Sequence, residues 1–237
     1  MNAFLRNNAV FIALSFLLLG CLGALLLFVP KADLHLLLCD HHTPARDIFF
    51  RSYTRLAEWV PYVACVLILL FGRVGTAATA AACVAASELT TQLLKHIINA
   101  PRPVTWFALY YPDISLPLVE GVRMNHWFSF PSGHTTSFFA LAFTLSILIT
   151  RNLSAKRSFS EAVCQCNGLS GVAGLLQALL FAMAALGGYS RIYLSQHFAL
   201  DVFAGIIVGL TISTLVYVLF DHYKDQKWYN FCLFKKK

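Results

Sequence analysis

Two stretches of the chain, residues 10–29 and 202–220, carry no charged side chain. A helix needs ~20 predominantly apolar residues to cross the ~30 Å hydrocarbon core of a bilayer, and each stretch meets that length. A helix that is apolar on every side needs burial on every side, which a soluble protein seldom provides. Further apolar runs fall at 59–72, 76–98, 133–150 and 171–188, and the last run extends over 199–220. The pattern predicts an all-α fold: a polytopic six-helix transmembrane bundle. It forms one integral membrane domain over residues 1–237, with no long linker, low-complexity tract or internal repeat. The run at 59–72 is short. Just before it, Phe49, Phe50, Tyr53 and Trp59 alternate with Arg51, Arg55 and Glu58. That mixture fits an interfacial helix between the first and second spans.

Composition sharpens this picture. Of the 237 residues, 58% are apolar and 12% charged, about half the ~25% usual for soluble domains; the mean hydropathy is +0.67. The first apolar run exceeds the ~7–15 residues of a signal peptide, and no A-x-A site precedes Pro30, so it is expected to stay as a span. The seven cysteines are scattered. Cys164 and Cys166 lack the matching second pair of a metal site.

The net charge of +7 asks which side each basic residue occupies. With six spans, both termini share a side with Arg6, Arg73, Arg151, Lys156, Arg157, Lys224, Lys227 and Lys235 to Lys237. The other side holds Lys31, Arg46, Arg51, Arg55, Lys95, Arg102, Arg123 and Arg191. The asymmetry is weak until Lys95, Arg102 and Arg191, which have a separate role below, are set aside. The remaining bias places the termini in the cytoplasm. The terminal lysines read as a membrane-proximal end drawn to anionic lipid, not as a nucleic-acid contact.

Three clusters carry chemistry, all at span ends on the side away from the termini. In the first, Pro103 disfavours helical geometry at Arg102, so the helix ends there and the guanidinium is free to turn inward. Upstream, Glu88, Gln92, Lys95 and Asn99 share one helical stripe, expected to face the bundle interior or a watery cavity. Snorkelling to the interface accounts for Lys95 alone, but not for Glu88 two turns behind it. In the second cluster, Pro131-Ser132-Gly133-His134, Ser132 is a natural N-cap. The free N–H groups of the helix it starts form an anion site, which Gly133 lets a bound group approach closely. Taken alone, this is an ordinary capped helix start. In the third, running from Ser190-Arg191 to His197 and Asp201, the last two are four apart and predicted to be neighbours on one helical face. A carboxylate on one imidazole nitrogen fixes the tautomer and frees the other as a nucleophile. A helix-stabilising Asp beside a chance His is the plainer account of that pair.

In this order the clusters resemble the signature of the type 2 phosphatidic acid phosphatase superfamily: K-x-x-x-x-x-x-R-P, P-S-G-H and S-R-x-x-x-x-x-H-x-x-x-D. Lys95, Arg102, Pro103, Pro131, Ser132, Gly133, His134, Ser190, Arg191, His197 and Asp201 fill every fixed position across a motif core of 95–201. The resemblance implies that His197 attacks phosphorus, that Asp201 orients it, and that His134 protonates the leaving alkoxide and later activates water. It implies that Lys95, Arg102, Arg191, Ser132 and Gly133 hold the phosphate, with no metal and no cofactor. Three fixed cations can stabilise the transferring phosphoryl group by themselves.

The site's expected place at the bilayer surface favours a substrate that already lives there, a lipid phosphate monoester or diphosphate. Polyprenyl diphosphate, phosphatidylglycerol phosphate, phosphatidate and the phosphates of lipid A are all open. So is a lipid phosphotransferase, in which another alcohol captures the phosphohistidine. A transporter or structural bundle accounts for Glu88 but not for three converging phosphate-binding blocks. The segment 104–130 reads as a loop whose Trp106, Phe107, Tyr110, Tyr111, Trp127 and Phe128 either anchor at the interface or grip a lipid chain. The compact chain suggests a bacterial inner membrane, with the site on the periplasmic face.

Overall fold

The computed structural model describes residues 2–161 and 168–233, and every regular element among them is helical. Cys164, Cys166 and the Lys235 to Lys237 tail lie outside the described residues. The helices are α1 (Asn2–Asn7), α2 (Ala9–Phe28), α3 (Lys31–Cys39), α4 (Pro44–Tyr53), α5 (Trp59–Leu70), α6 (Val74–Ile98), α7 (Pro103–Tyr110), α8 (Gly133–Glu161), α9 (Gly168–Tyr193) and α10 (Ala199–Asp221). A 3₁₀ turn, Thr54–Ala57, leads from α4 towards α5.

Four of these helices are long and apolar enough to cross a membrane: α2, Gly133–Arg151 of α8, Gly171–Tyr193 of α9, and α10. A fifth crossing exists if Pro44–Ala57 and Trp59–Leu70, which meet at a 52° bend, count as one. Helices therefore stand at all six apolar runs, but two fall short of a span on their own. The helix at 59–72 has only 12 residues. The 25 residues of α6 are long enough, but the helix is diluted by alanine and threonine and carries Glu88 and Lys95.

Most spanning residues of α8 are buried, whereas those of α2, α9 and α10 mostly face outward. Its Phe138, Phe139, Phe143 and Ile147 pack with Phe11 of α2 and Ile206 of α10 in the main core. Lipid gives apolar helices no hydrophobic reason to associate, so close packing and small residues must hold such a bundle. Gly205 and Gly209 show how: a Cβ on either would come within 2.8 Å of a backbone oxygen, that of Ser132 or of Thr136. With α10 pressed against the start of α8, the Ser132 N–H donates to the Asp201 carbonyl at 3.0 Å. Two of the three motif blocks are joined there through backbone alone.

Two sequence expectations change. The segment 104–130 is not all loop, because Pro103 at the first helical position starts α7. Phe107 of that helix is buried against Ala32 and Phe198. The third motif does not simply lead into the last helix either. Ser190 and Arg191 sit in the last turns of α9, and the chain then turns through Ser195, at φ 49°, before α10.

Candidate active site

The α6 helix ends in a left-handed C-cap at Asn99 (φ 43°), which leaves Lys95 in its last turn. Lys95 is buried, and its Nζ donates to the Phe128 carbonyl at 2.7 Å. Glu88, Gln92 and Lys95 of the stripe read from the sequence line the cavity, whereas the exposed Asn99 does not. Arg102 caps α7 from an extended conformation (φ −78°, ψ 163°). Its guanidinium turns inward, giving Nε to the Trp127 carbonyl at 3.0 Å and Nη1 to Gln196 Oε1 at 2.9 Å.

Ser132 caps α8: its Oγ accepts from Thr135 N at 3.4 Å and from Thr135 Oγ1 at 2.9 Å. Its side chain is buried behind the cavity rather than in its wall. Gly133 does line the cavity. A Cβ there would make only ordinary contacts, at 3.7–3.8 Å, with Glu88, Thr91 and Lys95. His134 follows on the same rim.

His197 stands one residue before Phe198, the N-cap of α10, and Asp201 is in the first turn. The two are not on one helical face, yet they meet: His197 Nδ1 lies 3.4 Å from Asp201 Oδ2. That oxygen also accepts from Phe198 N at 2.9 Å and from Ser129 Oγ at 2.5 Å. With Nδ1 turned to the carboxylate, Nε2 is the ring nitrogen left for chemistry. Burial, reinforced by the charges of Arg102, Lys95 and Arg191, holds the His197 imidazole well below its ordinary pKa, so it stays neutral. A neutral imidazole is the nucleophilic form.

Arg191 is buried and donates from Nη1 to Thr54 Oγ1 at 2.6 Å, while its Nε has no partner among the described residues. Lys95, Arg102, Gly133, His134, Arg191 and His197 thus border one cavity of ≈ 460 Å³. Three cations and two imidazoles around one space suit a tetrahedral oxyanion. Among the described residues, no three His, Cys, Asp or Glu side chains are grouped to hold a metal ion.

Ser129, Gln196 and Thr54, which position His197–Asp201, Arg102 and Arg191, were not singled out from the sequence. Gln196 adjoins His197 and Ser129 lies just before the second motif, so proximity was the only available signal. Thr54 is 137 positions from Arg191 and had none.

Residues 76–225 match the family model described as the PAP2 superfamily. Among curated proteins, the lipid A 4′-phosphatase of Bacteroides thetaiotaomicron is 25% identical over 191 residues, covering 77% of this chain and 74% of that protein. The lipid A 4′-phosphatase of Porphyromonas gingivalis is 24% identical over 203 residues, covering 84% and 75%. Among solved structures, Aquifex aeolicus LpxE superposes with a TM-score of 0.59 at 26% identity, over 81% of this chain and 96% of that one. The PAP2-type phosphatidylglycerolphosphate phosphatase of Bacillus subtilis gives 0.64 at 18% identity, over 93% and 99%, a likeness of fold alone.

Proposed function

The chain belongs to the PAP2 superfamily, and we propose that it hydrolyses a lipid phosphate ester through a phosphohistidine formed on His197. The observation that carries this reading is the His197–Asp201 contact at the edge of a cavity bordered by Lys95, Arg102, Arg191 and His134. His197 Nε2 attacks phosphorus, and the bond from phosphorus to the lipid oxygen breaks. His134 gives its proton to the departing alkoxide. It then takes a proton from water, whose oxygen attacks the phosphohistidine and releases inorganic phosphate. Asp201 holds Nδ1–H throughout and balances the imidazolium charge. Lys95, Arg102 and Arg191, with the Gly133 N–H at the α8 start that Ser132 caps, stabilise the equatorial oxygens. This charge makes a metal unnecessary.

The protein is a single membrane domain in which α2, α5, α6, α8, α9 and α10 cross the bilayer and α4 with its 3₁₀ turn lies at the interface. Its termini are cytoplasmic, and its site faces the periplasm of a bacterial inner membrane. Likeness to two lipid A 4′-phosphatases favours a phosphate monoester over a diphosphate. The test is phosphate release by purified protein across a panel of lipid phosphates, with a soluble sugar phosphate as control and EDTA in a parallel arm. Turnover of a lipid phosphate that EDTA leaves intact and His197→Ala abolishes is expected. Near-normal turnover by His197→Ala, or loss in EDTA restored by Mg²⁺, overturns the mechanism.

A further inference from the structure

Glu88 lines the active-site cavity but belongs to none of the three motifs. It lies two turns before Lys95 on α6, ~10 Å along the axis at 1.5 Å per residue, and so deeper in the bundle than the cations. Its Oε1 accepts a hydrogen bond from Ser137 Oγ, one turn below Gly133 on α8. Ser137 Oγ also lies 3.1 Å from the Gly133 carbonyl. Glu88 Oε2 has no hydrogen-bond partner, and the carboxylate has no ion pair, among the described residues. A Cβ on Gly133 would stand 3.7 Å from Oε2, which places that oxygen beside the start of α8.

An ionisable side chain at membrane depth is expensive and is kept where it faces a cavity and serves a ligand. Asp201, the carboxylate nearest the nucleophile, already accepts two hydrogen bonds and faces His197. Glu88 has one oxygen to spare. Beyond it the cavity runs between α5 and α6 along Trp59, Tyr62, Val63 and Val84. Trp59 and Val63 are themselves exposed on the outer surface of the bundle. A lipid whose phosphate is fixed by Lys95, Arg102 and Arg191 has a route to the bilayer along these residues. Glu88 is the carboxylate that lines this cavity.

We propose that Glu88 is a specificity-determining residue whose free oxygen accepts a hydrogen bond from a hydroxyl or ammonium on the substrate's alcohol part, and whose charge excludes a second phosphate. This rests on the phosphatase reading above and deepens it. In a lipid diphosphate attacked at its terminal phosphorus, the remaining phosphate lies between the cations and the lipid chain, next to this carboxylate. Like charges at close quarters reject such a substrate. A donor in the same place is matched by a partner that no other described group occupies.

The test compares kcat/KM in mixed micelles for lysophosphatidate, its analogue lacking the free hydroxyl, and farnesyl diphosphate. Wild type, Glu88→Gln and Glu88→Ala are assayed, with melting curves as a folding control. Wild type should favour the hydroxyl substrate over the deoxy analogue by about 10- to 100-fold, the range for a hydrogen bond to a charged group. Glu88→Ala should abolish that preference. Glu88→Gln, which keeps an acceptor for Ser137, should retain part of it while its diphosphate turnover rises relative to wild type. Equal losses on all three substrates in a folded variant, as a proton-relay role predicts, overturn the inference. So does a wild type indifferent to the hydroxyl. A wild type that hydrolyses none of the three while turning over another lipid phosphate of the panel overturns the inference, and one that turns over no lipid phosphate at all contradicts the phosphatase reading itself.

Discussion

The Ser129 hydroxyl donates a 2.5 Å hydrogen bond to Asp201 Oδ2, tying the loop before α8 to the first turn of α10. The same hydroxyl lies 3.5 Å from His197 Nδ1. Ser129 thereby fixes the carboxylate beside His197, the proposed nucleophile, without lining the cavity. Ser129→Ala should lower kcat by about tenfold, the loss of one hydrogen bond to a charged group, with little change in KM. A KM effect with kcat intact would assign Ser129 to substrate binding instead.

Arg191 depends on Thr54 in a comparable way, through the 2.6 Å bond from Nη1 to Thr54 Oγ1. Thr54→Val keeps the shape and removes the acceptor, so the guanidinium loses its anchor. Vanadate, a mimic of the five-coordinate phosphoryl transition state, should bind about tenfold more weakly, ~1.4 kcal/mol, and Thr54→Ser should restore it. Unchanged vanadate inhibition in Thr54→Val would show that the contact does not position Arg191.

His35 of α3 supplies a pH test of folding. Neither ring nitrogen has a hydrogen-bond partner among the described residues, and the ring lies between Phe107 and Phe198 at centroid distances of 5.7 and 5.1 Å. Burial pushes its imidazole from 6.5 down to about 4. The unfolded chain takes up the proton near pH 6.5, whereas the folded protein resists it until about 4. The contribution is therefore complete above pH 6.5 and fades as pH falls through that window, by about 3 kcal/mol in all. His197 is held low by the same cause and adds to the acid sensitivity of both proteins compared. His35→Leu should gain stability relative to wild type between pH 6.5 and 4 in thermal melts. Parallel melting-temperature profiles would contradict the assignment.

The motif residues were legible because their spacing is short and their chemistry unusual for a membrane chain: Arg102-Pro103 ends a helix, and Ser132 starts one. What the sequence hid is set by long-range packing. His197 and Asp201 were expected to meet on a helical face, yet they meet because Asp201 caps the backbone at Phe198 and so faces the residue before it. Asn99 shares a helical stripe with Lys95 on paper. In the fold it adopts the left-handed conformation that ends the helix and so leaves the stripe. The weak hydropathy of α6 has the same origin as the site, since the polar residues that line the cavity are those that spoil an apolar count.

The proposed orientation follows from the distribution of basic residues once the phosphate ligands are set aside. Single cysteines at Glu120 and Asp225, both exposed, are to be introduced into a background without reactive thiols. In intact cells, a membrane-impermeant thiol reagent should label position 120 and spare 225. The reverse pattern would invert the protein and place its substrate in the cytoplasmic leaflet.

The covalent intermediate is the centre of the account, and one trapping measurement addresses it directly. His134→Ala removes the group proposed to activate water while leaving His197, Asp201 and the three cations in place. Mixed with a ³²P-labelled phosphate ester of a good leaving group, quenched in alkaline denaturant and digested at alkaline pH, it should yield an acid-labile, base-stable label on the peptide bearing His197. His197→Ala should yield none. Label on another residue, or no label from an enzyme that still turns over, would contradict a phosphohistidine at His197.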